Sequence, residues 1–118
     1  MSQIVLSMAE HAKALKLLQK HPHLRPMLVE LMEHKTFVLF GSYAKGVERE
    51  GSDVDLWIVG RKSKNVQRVI ERYSPEVHVQ YSTVDDFFHK LRQGHHLSLE
   101  IAANHVIFGN ADEIVGKL

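Results

Sequence analysis

Two aspartates separated by one residue, Asp53 and Asp55, follow a Gly41-Ser42 pair with ten residues between Ser42 and Asp53. Residues i and i+2 of a strand share a face, so the two carboxylates would stand side by side and repel each other unless a cation lay between them. Carboxylate oxygens are hard ligands. They suit Mg²⁺, which takes one or two of them and completes its shell with water and substrate phosphates. A glycine directly after a buried strand lets the backbone approach a ligand closely, and a helix start beyond it offers free N–H donors, to which Ser42 adds a hydroxyl. That group suits a triphosphate. Alone, each half has an ordinary explanation, as a structural turn or as two solvated acids at a strand start. The spacing joins them.

These residues need rigid neighbours, and the flanking sequence supplies them. Phe37–Phe40 and Leu56–Val59 are short apolar runs that fit buried strands, the second strand starting at Val54. Ser42–Lys45 reads as a short helix that Gly46 ends, and Glu48–Ser52 as a polar loop. Upstream, the apolar spacing predicts a helix over Ile4–Gln19, with Ser7 and Glu10 as its capping box, and a second over Pro26–His34. Downstream, Asn65–Tyr73 reads as a helix broken by Ser74-Pro75. Glu76–Tyr81 alternates as a half-buried strand, with Val77, Val79 and Tyr81 on one side and Glu76, His78 and Gln80 on the other. Thr83 caps a helix over Val84–Gln93 that Gly94 closes. A helix over Leu97–Asn104, an edge strand at Val106–Gly109 and a terminal helical turn complete the order α-α-β-α-β-α-β-α-α-β. The fold class expected is α+β, a two-layer sandwich of one mixed sheet with helices packed mainly on one face.

Length and composition bound the rest. The 118 residues read as one domain, with N-terminal helices over 1–34, a motif-bearing sheet core over 36–109 and a C-terminal helical turn over 110–118. A formal charge of +1 gives no bulk electrostatic support for nucleic-acid binding. Cysteine is absent, which excludes thiolate ligands and nucleophiles. No apolar run could span a bilayer and no leader is evident, so a cytoplasmic protein is expected, without a membrane partner. The nine histidines form no recurring ligand pattern, and His21, His23, His34, His95 and His96 read as solvated. His78 stands apart, because its strand face points toward the acid pair. Trp57 is read as core facing away from Asp55, and Asp85 and Asp86 as complements to a helix N-terminus.

The segment GSYAKG-VEREG-SDVDL resembles the DNA polymerase β-type nucleotidyltransferase superfamily, whose signature is Gly-Ser, a spacer and Asp-x-Asp. Its spacing is similar to that of the small stand-alone members called minimal nucleotidyltransferases, and the resemblance covers roughly Phe37 to Phe108. It implies transfer of a nucleoside monophosphate, AMP from ATP, to an acceptor. Gly41 and Ser42 would hold the β- and γ-phosphates, with Lys45 and Ser52 beside them. Lys45 and Arg49 are both near enough to assist the phosphates, but as exposed loop cations both also read as plain solvated charges. Asp53 and Asp55 would bind Mg²⁺. Active relatives carry a third carboxylate on the next strand, yet here His78 stands where that acid is expected, with Glu76 one residue pair back. Either Glu76 takes the catalytic role beside Asp53 and Asp55, or the third ligand is lost and a non-catalytic nucleotide-binding module remains. The resemblance further implies a helical HEPN-domain partner in a toxin–antitoxin pair. The apolar N-terminal helix fits a homodimer face or, equally, simple packing on the sheet.

Overall fold

The computed structural model describes residues 2–73 and 76–117, so the helix break read at Ser74-Pro75 lies outside the described residues. The elements are α1 (Gln3–Lys20), α2 (Arg25–Met32), β1 (Phe37–Phe40), α3 (Ser42–Lys45), β2 (Val54–Val59), α4 (Lys64–Glu71), β3 (Val77–Ser82), α5 (Val84–Arg92), α6 (His96–Ala103), β4 (Val106–Phe108) and α7 (Asp112–Val115). The sheet runs β3-β2-β1-β4. β1 is antiparallel to β2 and β4, whereas β2 and β3 are parallel, with α4 as their crossover. The class is α+β with a mixed sheet, as expected.

β1 is apolar throughout because it lies inside the sheet and is buried on both faces. One face collects Phe37, Leu39, Val54, Leu56, Ile58, Val106 and Phe108 under α1, α2 and α4. The other collects Val38, Phe40, Trp57 and Ile107 under Phe87 of α5, Ile101 of α6 and Ile114 of α7. Helices therefore cover both faces rather than mainly one. The cause is that β1 alternates apolar residues to both sides, and each side must be removed from water. The second cover is the smaller, and it leaves one end of its face open. Among the described residues, no helix is long and apolar enough to cross a membrane.

Several local readings change. The cap of α1 is Ser2, whose hydroxyl accepts from the Val5 amide at 3.3 Å. Ser7 is instead a buried mid-helix residue that donates to the Asp112 carboxylate of α7, and Glu10 lies near His105 and Lys13. The partner of Ser7 is 105 residues away, so local spacing suggested a cap where a tertiary contact was at work. With these contacts α1 lies along β4 and covers that edge of the sheet, while Ile4, Met8 and Leu15 remain exposed. Trp57 is core, stacked on Phe87 with ring centroids 4.3 Å apart, but it does not face away from Asp55. It packs with Val38 and Phe40 on the second face, and two residues along a strand return to the same side. His21 is buried rather than solvated, with its Nε2 3.0 Å from Glu48 Oε1 and its ring edge-on to Tyr43.

Candidate active site

Asp55 opens the open end of the second face. In the sheet it has Phe40 on one side and His78 on the other, which makes a row Phe40–Asp55–His78 across β1, β2 and β3. One step back, Val54 donates to the Glu76 carbonyl at 3.0 Å, so Asp53 and Glu76 are neighbours as β2 and β3 begin. The next row inward, Val38–Trp57–Gln80, is where the helical cover starts. Four polar side chains of one face thus gather past the last buried ring.

The turn after β1 fits around this acid. Gly41 has φ 75° and ψ −150°, a conformation reached almost only by glycine. A Cβ at this position would overlap Asp55 Oδ2 and stand 3.1 Å from its Cγ. The glycine is therefore needed twice, for its backbone and for the space that the Asp55 carboxylate fills. Ser42 then starts α3, and Gly46 ends it in the left-handed conformation at φ 73°. The phosphate-type turn and the acid pair, inferred from different stretches of sequence, are packed against one another.

The acids and His78 make a second grouping. His78 Nε2 lies 3.1 Å from Asp53 Oδ2 and 3.6 Å from Glu76 Oε1. Asp53, Glu76 and His78 each present a ligand atom, all within 4.8 Å of one another. Asp55 stands beside this trio with its carboxylate turned to Gly41. Its pKa is raised, first by burial, which prevails over the opposing effect of His78, and further by the charges of Asp53 and Glu100. Crowded carboxylates of this kind are the donor set of a hard divalent cation, and the space at Gly41 leaves Asp55 able to serve it. The residues present fit such an ion.

The remaining expected residues divide. Lys45 reaches the site's rim, where its Nζ is 3.2 Å from Glu100 Oε1 of α6. Ser52 closes the loop before β2, its Oγ accepting from the Arg49 amide at 2.8 Å. It lines a hollow of about 450 Å³ with His21, Tyr43, Glu48 and Arg49. A wider hollow of about 750 Å³ runs past Thr36, Val59 and Thr83 at the other end of β2. Neither is lined by Asp53, Asp55, Glu76 or His78, whose strip is open surface. Glu100 was missed. It lies 45 positions after Asp55, on a helix whose sequence signals only an amphipathic segment, so nothing local marks it as part of the site.

Comparison with protein-family models matches residues 23–108 to the nucleotidyltransferase domain. The chain belongs to the nucleotidyltransferase domain family. The match takes in α2 and runs to the end of β4, so it covers all four strands, Gly41-Ser42, the acid pair and the strand that carries His78. Comparison with curated proteins and with solved structures gives no significant match.

Proposed function

We propose that this nucleotidyltransferase domain transfers AMP from Mg-ATP to an acceptor group on a partner protein. The observation that supports it best is the packing of Asp55 into the space at Gly41, which puts a phosphate-type turn and a metal-type acid pair into one site. In this reading the Gly41 and Ser42 backbone holds the β- and γ-phosphates, Lys45 offsets their charge from the rim, and Ser52 keeps the preceding loop in shape. Asp53 and Asp55 hold Mg²⁺. A divalent cation bound there neutralises charge on the attacking and leaving oxygens of an in-line displacement. The acceptor oxygen forms a bond to the α-phosphorus as the bond to the β-phosphate oxygen breaks, and pyrophosphate leaves. Glu76, with 73% of its side chain exposed, is the carboxylate open to the acceptor's proton. Positioning and charge neutralisation carry most of such a reaction, so a small open site suffices. In this reading the acceptor is a group on a partner, brought to the exposed side of the strip at Glu76. A helical HEPN-domain protein of a toxin–antitoxin pair is the partner proposed, in the cytoplasm.

One observation favours a second reading, a nucleotide-binding module without transfer. The residue in register with Asp55 on β3 is His78, not a carboxylate. Incubation with Mg²⁺ and α-labelled ATP, with and without a HEPN-domain protein of the proposed kind, separates the two. Label on protein that disappears in Asp53→Asn and Asp55→Asn supports transfer. ATP binding without label in either mixture supports the module.

A further inference from the structure

We propose that Asp53, Glu76 and His78 form a mixed carboxylate–imidazole cation site that takes a first-row transition ion such as Zn²⁺ in preference to Mg²⁺. The proposal rests on reading this face as the cation-holding side of the domain, and it concerns which cation these residues select. Metal–ligand bonds of about 2.0–2.2 Å place adjacent ligand atoms of a tetrahedral or octahedral ion about 2.9–3.5 Å apart. His78 Nε2 lies 3.1 Å from Asp53 Oδ2 and 3.6 Å from Glu76 Oε1, so the imidazole holds each acid close to that span, and all three ligand atoms lie within 4.8 Å of one another. The backbone explains why. His78 lies in β3 and Glu76 just before its first residue, two positions away on the same side, and the parallel pairing of β2 with β3, extended by the Val54 amide to the Glu76 carbonyl, sets Asp53 alongside them.

The imidazole decides the preference. Mg²⁺ keeps much of its water and binds through oxygen, whereas imidazole nitrogen favours zinc and its neighbours in the first transition row. An all-carboxylate trio at these positions would suit Mg²⁺. With His78 pointing its Nε2 at both acids, the nitrogen becomes a ligand in the centre of the group. All three residues are exposed, so an ion can enter directly and keep water on its outer side. Asp55, turned to Gly41, stays available to an oxygen-loving ion that arrives with the triphosphate, with Asp53 shared between the two ions and one Glu76 oxygen left free to face the acceptor. The strip then holds two cation positions of different chemistry.

Calorimetric titration of the chelator-stripped full chain with Zn²⁺ alone and with Mg²⁺ alone, in the absence of nucleotide, tests this. One Zn²⁺ per chain is expected, bound at least ~10-fold more tightly than Mg²⁺, with a shift of the His78 Nε2 NMR resonance. His78→Ala should weaken Zn²⁺ by at least ~10-fold and leave Mg²⁺ within about twofold, while His78→Asp should turn the preference toward Mg²⁺. Equal affinity for the two ions, or Zn²⁺ binding that survives His78→Ala through other histidines, would overturn the proposal. Transfer of label from ATP is scored separately. Lost selectivity with intact transfer removes this inference alone, and retained selectivity without transfer removes the enzymatic reading alone.

Discussion

The packing of Asp55 against Gly41 can be measured as a coupling energy. Gly41→Ala forces a side chain onto a backbone at φ 75° and ψ −150°, a conformation that costs about 1–3 kcal/mol for residues other than glycine. The new Cβ would also overlap Asp55 Oδ2 and lie 3.1 Å from Cγ, so the carboxylate has to move. Residues in direct contact couple by about 0.5–3 kcal/mol, and a displaced charge belongs in the middle of that range. The two contributions give a total of about 3–5 kcal/mol for the single variant. At about 4 °C per kcal/mol for a domain of this size, Tm falls by roughly 12–20 °C. In an Asp55→Ala background only the backbone cost should remain, because the nearest surviving atom is the residue 55 Cβ at 3.3 Å, a tight but tolerable contact. Urea denaturation of the four proteins of this cycle, in chelator-containing buffer, gives the coupling directly. A value near 1 kcal/mol or more is expected. Equal costs of Gly41→Ala in both backgrounds would refute the argument, since Gly41 would then serve its own backbone and not the carboxylate.

Asp55→Asn should stabilise the protein at pH 7 while abolishing label transfer. Burial, Asp53 and Glu100 raise the Asp55 pKa, so the folded state holds this proton more tightly than the unfolded chain does. Stability therefore falls as pH rises from the unfolded value of about 4 through the folded one, and the advantage of the variant should vanish below that window in thermal melts. His21 behaves in the opposite sense. Burial lowers its pKa despite the raising effect of Glu48, so its contribution is present above about pH 6.5 and is lost as pH falls through the folded value. Tm should drop more between pH 7.5 and pH 5.5 in the natural protein than in His21→Gln, as followed by scanning fluorimetry. Lys45→Ala removes an exposed pair with Glu100 and should change stability by less than about 1 kcal/mol, yet weaken ATP binding in filter assays. If Glu100→Gln, which leaves the cation in place, weakens ATP binding as much, the role given to Lys45 is wrong.

The strands and the turn could be read from the chain because their signals are local. Four consecutive apolar residues at Phe37–Phe40 imply burial on both sides, and Gly41 and Gly46 bracket a helix of one turn. Val54–Val59 has the bounds expected for it. The pairing of Asp53 with the β3 side chains was only half legible. Alternation placed Glu76 and His78 together, but the register that sets His78 beside Asp55 belongs to the sheet and not to either strand. Other features were hidden for the same kind of reason. Ser7 and Asp112 are each unremarkable polar residues until α1 and α7 meet, and Glu100 gains meaning only when α6 crosses near Lys45. The second helical cover was underestimated because α5, α6 and α7 are short, and each buries only a few apolar residues against the sheet. Trp57 needed no tertiary information. The alternation that aligned Asp53 with Asp55 also assigned Trp57 to their side.

The position of β3 at the end of the sheet has a consequence for how the domain breathes. β2 is hydrogen-bonded on both flanks, whereas β3 has a single strand neighbour, and its faces alternate between half-buried and exposed. Local opening starts where few bonds and little apolar surface must be given up. Asp55, carried by β2, is therefore expected to belong to the slow-exchanging centre of the domain, and His78 with the adjoining Glu76 to a margin that opens at lower free energy. Amides of Val77–Ser82 should lose protection before those of Val54–Val59, so the two halves of the site differ in persistence as well as in chemistry. A ligand that bridges them would stitch the margin to the centre and slow exchange along β3 first.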